Sequence, residues 1–306
     1  DKDGCFSGTA IVKDDILYLV YTGHHYYEGD DNPDHFWQNQ NLAYSLDGVN
    51  FTKYKNNPII GKPPEDNTHH FRDPKVWEHN SKYYQLLGSQ ANDGLGRAIL
   101  YVSENLIEWE YLGEIDHAQN KEKEGFMWEC PDLFHLNGED ILLCSPQGIS
   151  PQQTQFLNLH NTGYFLGDLD YKKAKFNRTS NFIELDKGHD FYAAQTLLAP
   201  DGRRILIGWM AMWENEMPEQ KDGWSGALTL PRELVLKGDQ MYMKPIKELN
   251  SLRKDKSENK NFQLDEVYSL SNVTEHSEIE LDLSLENNGS YFNIYFKDKQ
   301  NTSFLT

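Results

Sequence analysis

Two carboxylates stand at the start of apolar, strand-like runs of the sequence. Asp73 lies in the string His-Phe-Arg-Asp-Pro-Lys-Val at residues 70–76, and Glu129 lies in Met-Trp-Glu-Cys-Pro-Asp at residues 127–132. A proline follows each of them within two residues. Hydrolysis of a glycosidic bond needs one acid to protonate the leaving oxygen and further carboxylates to meet the positive charge on the sugar. Asp73 and Glu129 are therefore candidates for that chemistry.

Each carboxylate also has an ordinary structural explanation. Asp-Pro is a common turn pair, so Asp73 by itself could simply shape a turn. Arg72 argues for more, because a guanidinium can keep a carboxylate ionised or bind sugar hydroxyls. Glu129 lies between Trp128 and Cys130, an apolar setting of the kind that suits a general acid. The alternative for Glu129 is a strand-end glutamate paired with a surface cation.

A repeated unit supplies the elements that would position these residues. An apolar strand, a polar turn and a second apolar strand recur about every 60 residues, in units that start near residues 9, 73, 131 and 195. Two of the turns, Asn137-Gly138 and Asp201-Gly202, are strong hairpin signals. Further strand-like pieces lie between the units, so each repeat amounts to about four strands, the size of a propeller blade.

We therefore predict an all-β fold: a five-bladed β-propeller, incomplete at the N-terminus, with four repeats in this sequence. A β-sandwich made of hairpins is the alternative. The first strand of each propeller blade lines a central funnel. Asp73 and Glu129 fall at one place in successive repeats, just before the first strand, so both should point into the funnel. This convergence is the main argument for a site.

The domain organisation follows from a change in composition. We assign residues 1–250 to the propeller and residues 251–261, which are polar and charged, to a linker. Residues 262–306 should begin a β-sandwich, because residues 279–285 and 291–296 alternate as strands do.

The composition excludes several classes of partner. The 306 residues carry a formal net charge of −19 without a basic run, which argues against nucleic acid and anionic membrane. No apolar stretch approaches the ~18 residues of a membrane-spanning helix. Three cysteines are too few for a disulfide framework and suggest a reduced, cytoplasmic protein. Adjacent histidine pairs such as His24-His25 face opposite ways on a strand, so we expect no metal site. Hydrolysis by carboxylates implies no cofactor.

Several strings, in order along the chain, resemble glycoside hydrolase family 32, the β-fructofuranosidases and bacterial sucrose-6-phosphate hydrolases. They lie at residues 5–10, 71–74, 128–131, 191–195, 223–226 and 230–232. The resemblance implies that Glu129 is the acid/base, that Asp73 stabilises the transition state by binding fructosyl hydroxyls, and that Phe6 and Ser7 contact substrate. The family's nucleophile, in an Asn-Asp-Pro-Asn-Gly string, has no counterpart in this sequence and is expected upstream of its first residue.

The resulting prediction is a retaining glycosidase that cleaves the fructosyl bond of sucrose or sucrose 6-phosphate, or of a fructan. Arg72 and Trp213 are further substrate-binding candidates; Trp213 could equally be a core residue. Without a nucleophile and a complete propeller, the 306-residue chain should be inactive and prone to self-association. Two alternatives remain: a carbohydrate-binding propeller without catalysis, and a related five-bladed glycosidase acting on arabinosyl or xylosyl bonds.

Overall fold

The computed structural model describes residues 3–258, 268–270, 273–274, 277–284, 291–297 and 303–305. The chain divides into two compact units, Asp1–Leu249 and Asn250–Thr306. Almost all regular structure in the described part is β-strand, as the sequence predicts, and no described helix is long and apolar enough to cross a membrane. A cytoplasmic location stays a prediction.

The first unit consists of four antiparallel sheets, each formed by consecutive strands in a meander. Blade 1 comprises β1 (Gly4–Lys13), β2 (Ile16–Tyr26), β3 (Phe36–Ser45) and β4 (Thr52–Lys53). Blade 2 comprises β5 (Asn67–His79), β6 (Lys82–Ala91), β7 (Gly96–Ser103) and β8 (Glu110–His117). Blade 3 comprises β9 (Met127–Leu136), β10 (Glu139–Gln147), β11 (Gly163–Asp170) and β12 (Lys175–Arg178), with β13 (Ile183–Glu184) also paired to β11. Blade 4 comprises β14 (Tyr192–Leu198), β15 (Arg204–Trp209), β16 (Arg232–Lys237) and β17 (Gln240–Pro245).

The four repeats of the sequence are thus four blades, not the five of the predicted complete propeller, within the residues described. The hairpin prediction for Asn137-Gly138 is confirmed: the pair joins β9 to β10, and both residues have a positive φ, as a tight hairpin turn requires. The first strands pack side by side, β5 against β1 and β9, and β9 against β14. This is the inner row that a propeller uses to line its funnel.

Helical structure is confined to short segments. The helix α1 (Lys121–Glu124) joins blades 2 and 3 and begins at Asn120, whose side chain accepts the backbone N–H groups of Glu122 and Lys123. Two 3₁₀ segments span Pro218–Asp222 and Lys247–Leu252.

The hydrophobic core lies between neighbouring blades. Blades 2 and 3 share the largest cluster, in which Leu86 and Leu100 pack with Trp128, Leu142 and Phe165, all of them buried. A second cluster joins blades 3 and 4. Each blade therefore hides an apolar face against its neighbour, and this face-to-face burial is the main favourable term that holds the row together.

The second unit shows less than the sequence predicts. Its described strands are β18 (Phe296–Lys297) and β19 (Ser303–Leu305), an antiparallel pair. Residues 279–284, expected to form a strand, are not in one, and residue 285 lies outside the described part. The predicted β-sandwich is therefore not shown.

Candidate active site

One irregularity recurs in the first strand of every blade and builds the site. In β5, the backbone pairs Arg72 with Gly88 and then Lys75 with Leu86, so two residues of β5 stand opposite one residue of β6. The same two-against-one bulge follows Cys5 in β1, Glu129 in β9 and Tyr192 in β14. A bulge of this kind bends the strand and redirects side chains, and it is common beside active sites.

The sequence predicted that Asp73 and Glu129 occupy the same position in successive repeats, and the register of the bulges shows that this is wrong. Both carboxylates lie inside their strands and not before them, and they are one position apart in the repeat. Arg72, Glu129 and Tyr192 are the residues that precede the bulge, whereas Asp73 corresponds to Cys130. Three bulge residues, Asp73, Cys130 and Ala193, have a positive φ. The convergence of Asp73 and Glu129 in one place nevertheless holds, because neighbouring first strands pack together.

Asp73 is fixed from both neighbouring blades. Its backbone N–H donates to Thr22 Oγ1 of blade 1 at 3.0 Å. Its carboxylate oxygen Oδ2 accepts the backbone N–H of Cys130 in blade 3 at 2.9 Å. The residue is 6% exposed. Burial, and after it the negative charge of Glu129, raises the pKa of Asp73 to about 6, whereas Arg72 opposes that rise.

Glu129 is held by polar side chains from three blades. Arg72 of blade 2 donates from Nε to Glu129 Oε1 at 2.8 Å, and its Nη2 lies 2.8 Å from the same oxygen. Oε2 accepts Gln147 Nε2 at 2.9 Å and the Tyr192 hydroxyl at 2.6 Å. Burial and the neighbouring Glu129 raise the pKa of Tyr192 well above its ordinary value, so this hydroxyl stays a proton donor. The sequence predicted an apolar environment for Glu129, but both oxygens of its carboxylate have polar partners.

The Trp128 indole supplies the apolar part of that setting. It is fully buried between blades 2 and 3, and its Nε1–H donates to the carbonyl of Glu124 at 2.7 Å. Because successive side chains of a strand point to opposite faces, the burial of Trp128 between the blades places the Glu129 side chain on the other face of β9.

A cavity of about 370 Å³ opens over the two carboxylates. Its walls carry, besides Asp73 and Glu129, the residues Phe6, Ser7, Cys130, Tyr192, Ala193, Trp209, Trp213 and Leu228. The Trp209 and Trp213 rings stack at 5.9 Å with an interplanar angle of 10°. A mostly apolar and aromatic wall with two carboxylates at one point suits a sugar, whose ring faces pack on aromatics while its hydroxyls take hydrogen bonds.

The structure places the predicted substrate-binding residues unequally. Phe6, Ser7 and Trp213 line the cavity, and Trp213 is 48% exposed, so it is not a core residue. Arg72 is 5% exposed and directs its guanidinium to Glu129 and His70. Its contacts within the described chain therefore hold the Glu129 carboxylate and leave few donors for a sugar hydroxyl.

Two residues of the site were missed by sequence reasoning, Gln147 and Tyr192. Tyr192 has the same place in the fourth repeat as Glu129 has in the third, and a register-level alignment of the repeats would have found it. Gln147 ends β10 and gave no such signal. No group of three or more His, Cys, Asp or Glu residues in the described part of the chain could hold a metal ion.

Comparison with known proteins places this chain in a family. Residues 1–245 match the model of the glycosyl hydrolases family 32 N-terminal domain. The chain belongs to glycoside hydrolase family 32. Sucrose-6-phosphate hydrolase of Bacillus subtilis (strain 168) is 43% identical over 265 residues, which is 83% of this chain and 53% of that protein. Sucrose-6-phosphate hydrolase of Zymomonas mobilis is 40% identical over 306 residues, 95% of this chain and 57% of that protein.

Solved structures agree with this family 32 assignment. The Bombyx mori GH32 β-fructofuranosidase BmSUC1, solved as a point mutant in complex with sucrose, superposes with a TM-score of 0.79 at 43% identity. The match covers 85% of this chain and 54% of that one. The chain spans about half the length of the curated relatives that it matches.

Proposed function

We propose that the protein hydrolyses the fructosyl bond of sucrose or sucrose 6-phosphate, with Glu129 as the acid/base and Asp73 as the transition-state stabiliser. The observation that carries the proposal is the position of these two carboxylates on one cavity wall, each held by neighbouring blades. The relatives supply the substrate class: two are named sucrose-6-phosphate hydrolases, and one family member was solved with sucrose.

Glu129 is set up for proton transfer at the bridging oxygen. Arg72 holds one carboxylate oxygen, and Tyr192 and Gln147 hold the other, so the group is fixed in one orientation. A fixed acid loses little entropy when it meets the glycosidic oxygen. After the leaving sugar departs with the proton, the ionised carboxylate is the base that takes a proton from water.

Asp73 would act by charge. Its Oδ2 is held by the Cys130 N–H, and the other oxygen of the carboxylate is available to substrate hydroxyls on the cavity wall. A carboxylate in a site of low exposure stabilises the positively charged fructosyl ring of the transition state more than the neutral ground state. Asp73 is therefore expected to contribute to kcat more than to KM.

The proposal extends to a five-bladed propeller in a longer protein. Blades 1 and 4 carry large exposed apolar side chains, among them Val12, Leu197 and Leu198, which a further blade between them would cover. A retaining mechanism also needs a nucleophilic carboxylate. We assign that role to the Asn-Asp-Pro-Asn-Gly string of the family, which the 306 residues do not contain.

The test is the leaving-group dependence of Glu129→Ala in the protein extended to the length of its relatives. With sucrose, kcat should fall by roughly 10²–10⁴-fold, because general acid help is lost. An activated aryl fructoside, whose leaving group needs no proton, should be spared in the first step. Glu122→Ala, a change on the exposed surface of α1, is the matched control. Equal losses for both substrates would remove Glu129 from the acid role.

A further inference from the structure

The contacts of Arg72 point beyond the two carboxylates. Its Nε and Nη2 face Glu129 Oε1, and its remaining terminal nitrogen, Nη1, lies 2.8 Å from His70 Nδ1. The guanidinium is thus clamped between the acid and a histidine two residues earlier in β5. Its exposure of 5% leaves little solvent to replace either partner.

The clamp fixes the chemical state of His70. A guanidinium has only N–H donors, so His70 Nδ1 must accept and the ring proton must sit on Nε2. A protonated imidazolium would place donor against donor and cation against cation. Burial, followed by the positive charge of Arg72, lowers the pKa of His70 to about 3, which agrees with a neutral ring at any working pH.

The strand and its neighbours hold the imidazole in place. His70 and Arg72 are two residues apart in β5, so their side chains lie on the same face of the sheet. The His70 carbonyl accepts Asn67 Nδ2 at 2.8 Å. The ring contacts the Phe36 ring edge-on, with centroids 5.4 Å apart, and the His69 ring at 4.3 Å. His70 is thus a rigid acceptor rather than a mobile surface group.

We propose that His70 is a positioning residue, which acts through Arg72 to hold Glu129 in the orientation for proton transfer. Arg72 is a long side chain with a second anion, Asp73, next to it in the chain. Without the acceptor at His70, Nη1 would be a buried donor without a partner, a state that is costly. Turning the guanidinium toward Asp73 would relieve this cost and would release one oxygen of Glu129.

The inference rests on the proposed function, but part of its test does not need catalysis. The ¹⁵N and ¹H shifts of the His70 ring in the 306-residue chain report which nitrogen carries the proton. We expect the neutral form with the proton on Nε2, unchanged between pH 5 and pH 8. A proton on Nδ1, or a ring that becomes charged in this range, would overturn the proposal whatever the enzyme does.

Kinetics of the protein extended to the length of its relatives supply the second test. His70→Leu removes the acceptor and should lower kcat for sucrose about tenfold or more, with KM nearly constant and an activated aryl fructoside much less affected. His70→Asn, whose side-chain oxygen reaches nearly the place of Nδ1, should restore most of the loss. His135→Leu, the same change on an exposed residue six positions after Glu129 in β9, is the matched control.

The outcomes separate the two proposals. If His70→Leu lowered kcat equally for sucrose and for the aryl fructoside, the positioning role would be contradicted. The same holds if His70→Asn had a kcat for sucrose no higher than that of His70→Leu. A wild-type protein that hydrolyses neither sucrose nor the aryl fructoside would refute the proposed function, while the proton position on His70 would still decide the clamp. If His70→Leu does not fold, His70→Asn and the ring shifts decide it.

Discussion

Arg72 is the cation that lies beside both carboxylates of the cavity, and its position determines how their charges are compensated. Arg72 binds Glu129 directly, whereas Asp73 has a backbone N–H and a thiol as its contacts. Asp73 therefore carries most of the cost of burial, and its pKa rises while the cation is engaged elsewhere. A carboxylate buried at such a cost to stability is typical of a functional site.

Removing this carboxylate should therefore stabilise the fold in a pH-dependent way. The pKa of Asp73 is about 6 in the folded chain and about 3.9 when unfolded, so folding favours the neutral form. The resulting penalty is absent below pH 4, grows as pH rises to 6 and is complete above it. Asp73→Asn should raise Tm at pH 8 and change it little at pH 4.

Thermal unfolding of the 306-residue chain at the two pH values measures the effect of Asp73→Asn. The exposed Asp31→Asn is the control for a lost charge on a protein that is already acidic. An Asp73→Asn gain that is equal at pH 4 and pH 8, or a loss at pH 8, would contradict the buried-charge explanation.

The sequence predicted the two candidate carboxylates but not the side chains that hydrogen-bond to Glu129. An acid followed by a proline at a strand start is a local pattern, and it could be seen without a fold. The partners of Glu129 come from residues 18 and 63 positions later, Gln147 and Tyr192, and from Arg72, 57 positions earlier. Such distances are bridged only by the packing of blades, which local patterns do not encode.

At the scale of elements, the sequence predicted the strands and hairpins of the first unit well and their register poorly. The repeat identified blades and placed Asn137-Gly138 in a tight turn. It aligned Asp73 with Glu129, one position away from the true register, although Pro74 and Pro131 hold the same place in the two bulges. A shift of one residue exchanges the two faces of a strand, so this small error hid the correspondence of Arg72 with Glu129 and of Asp73 with Cys130.

Close docking of blades 2 and 3 explains one glycine of β6. Gly88 stands directly opposite Arg72, and a Cβ there would lie 2.1 Å from the carbonyl oxygen of Trp128. That oxygen belongs to the backbone of β9 and cannot turn aside as a side chain would. Only glycine lets β9 bring Glu129 within reach of Arg72.

Gly88→Ala should therefore lower the free energy of unfolding by about 1–3 kcal/mol or more, as overpacking does. Denaturant unfolding of the 306-residue chain measures the change. Gly61→Ala is the control, because its Cβ would meet its nearest atom, Pro58 Cγ, at 3.7 Å. Similar midpoints for the two variants would show that the blades can separate slightly without cost.

At the scale of the whole chain, two features act against each other. Blades 1 and 4, the first and last of the row, carry large exposed apolar side chains, among them Val12, Leu197, Leu198 and Leu230. Apolar surface of this kind favours association. A net charge of −19 opposes it, because two copies repel each other at low ionic strength. The balance between them depends on salt, since the Debye length falls from about 10 Å at 0.1 M to about 3 Å at 1 M.

The 306-residue chain should therefore self-associate, and more strongly as salt is added. Sedimentation velocity at 50 mM and at 1 M NaCl measures the mean mass, which should rise with salt because screening removes the repulsion and leaves the apolar attraction. Leu198→Glu in β14 should reduce association at both salt concentrations. Leu46→Glu makes the same change on an exposed leucine of the turn between β3 and β4, and it should not. A chain that stays monomeric in 1 M NaCl would show that these apolar side chains do not form an adhesive surface. Association that weakens with salt would point instead to pairing between charged groups.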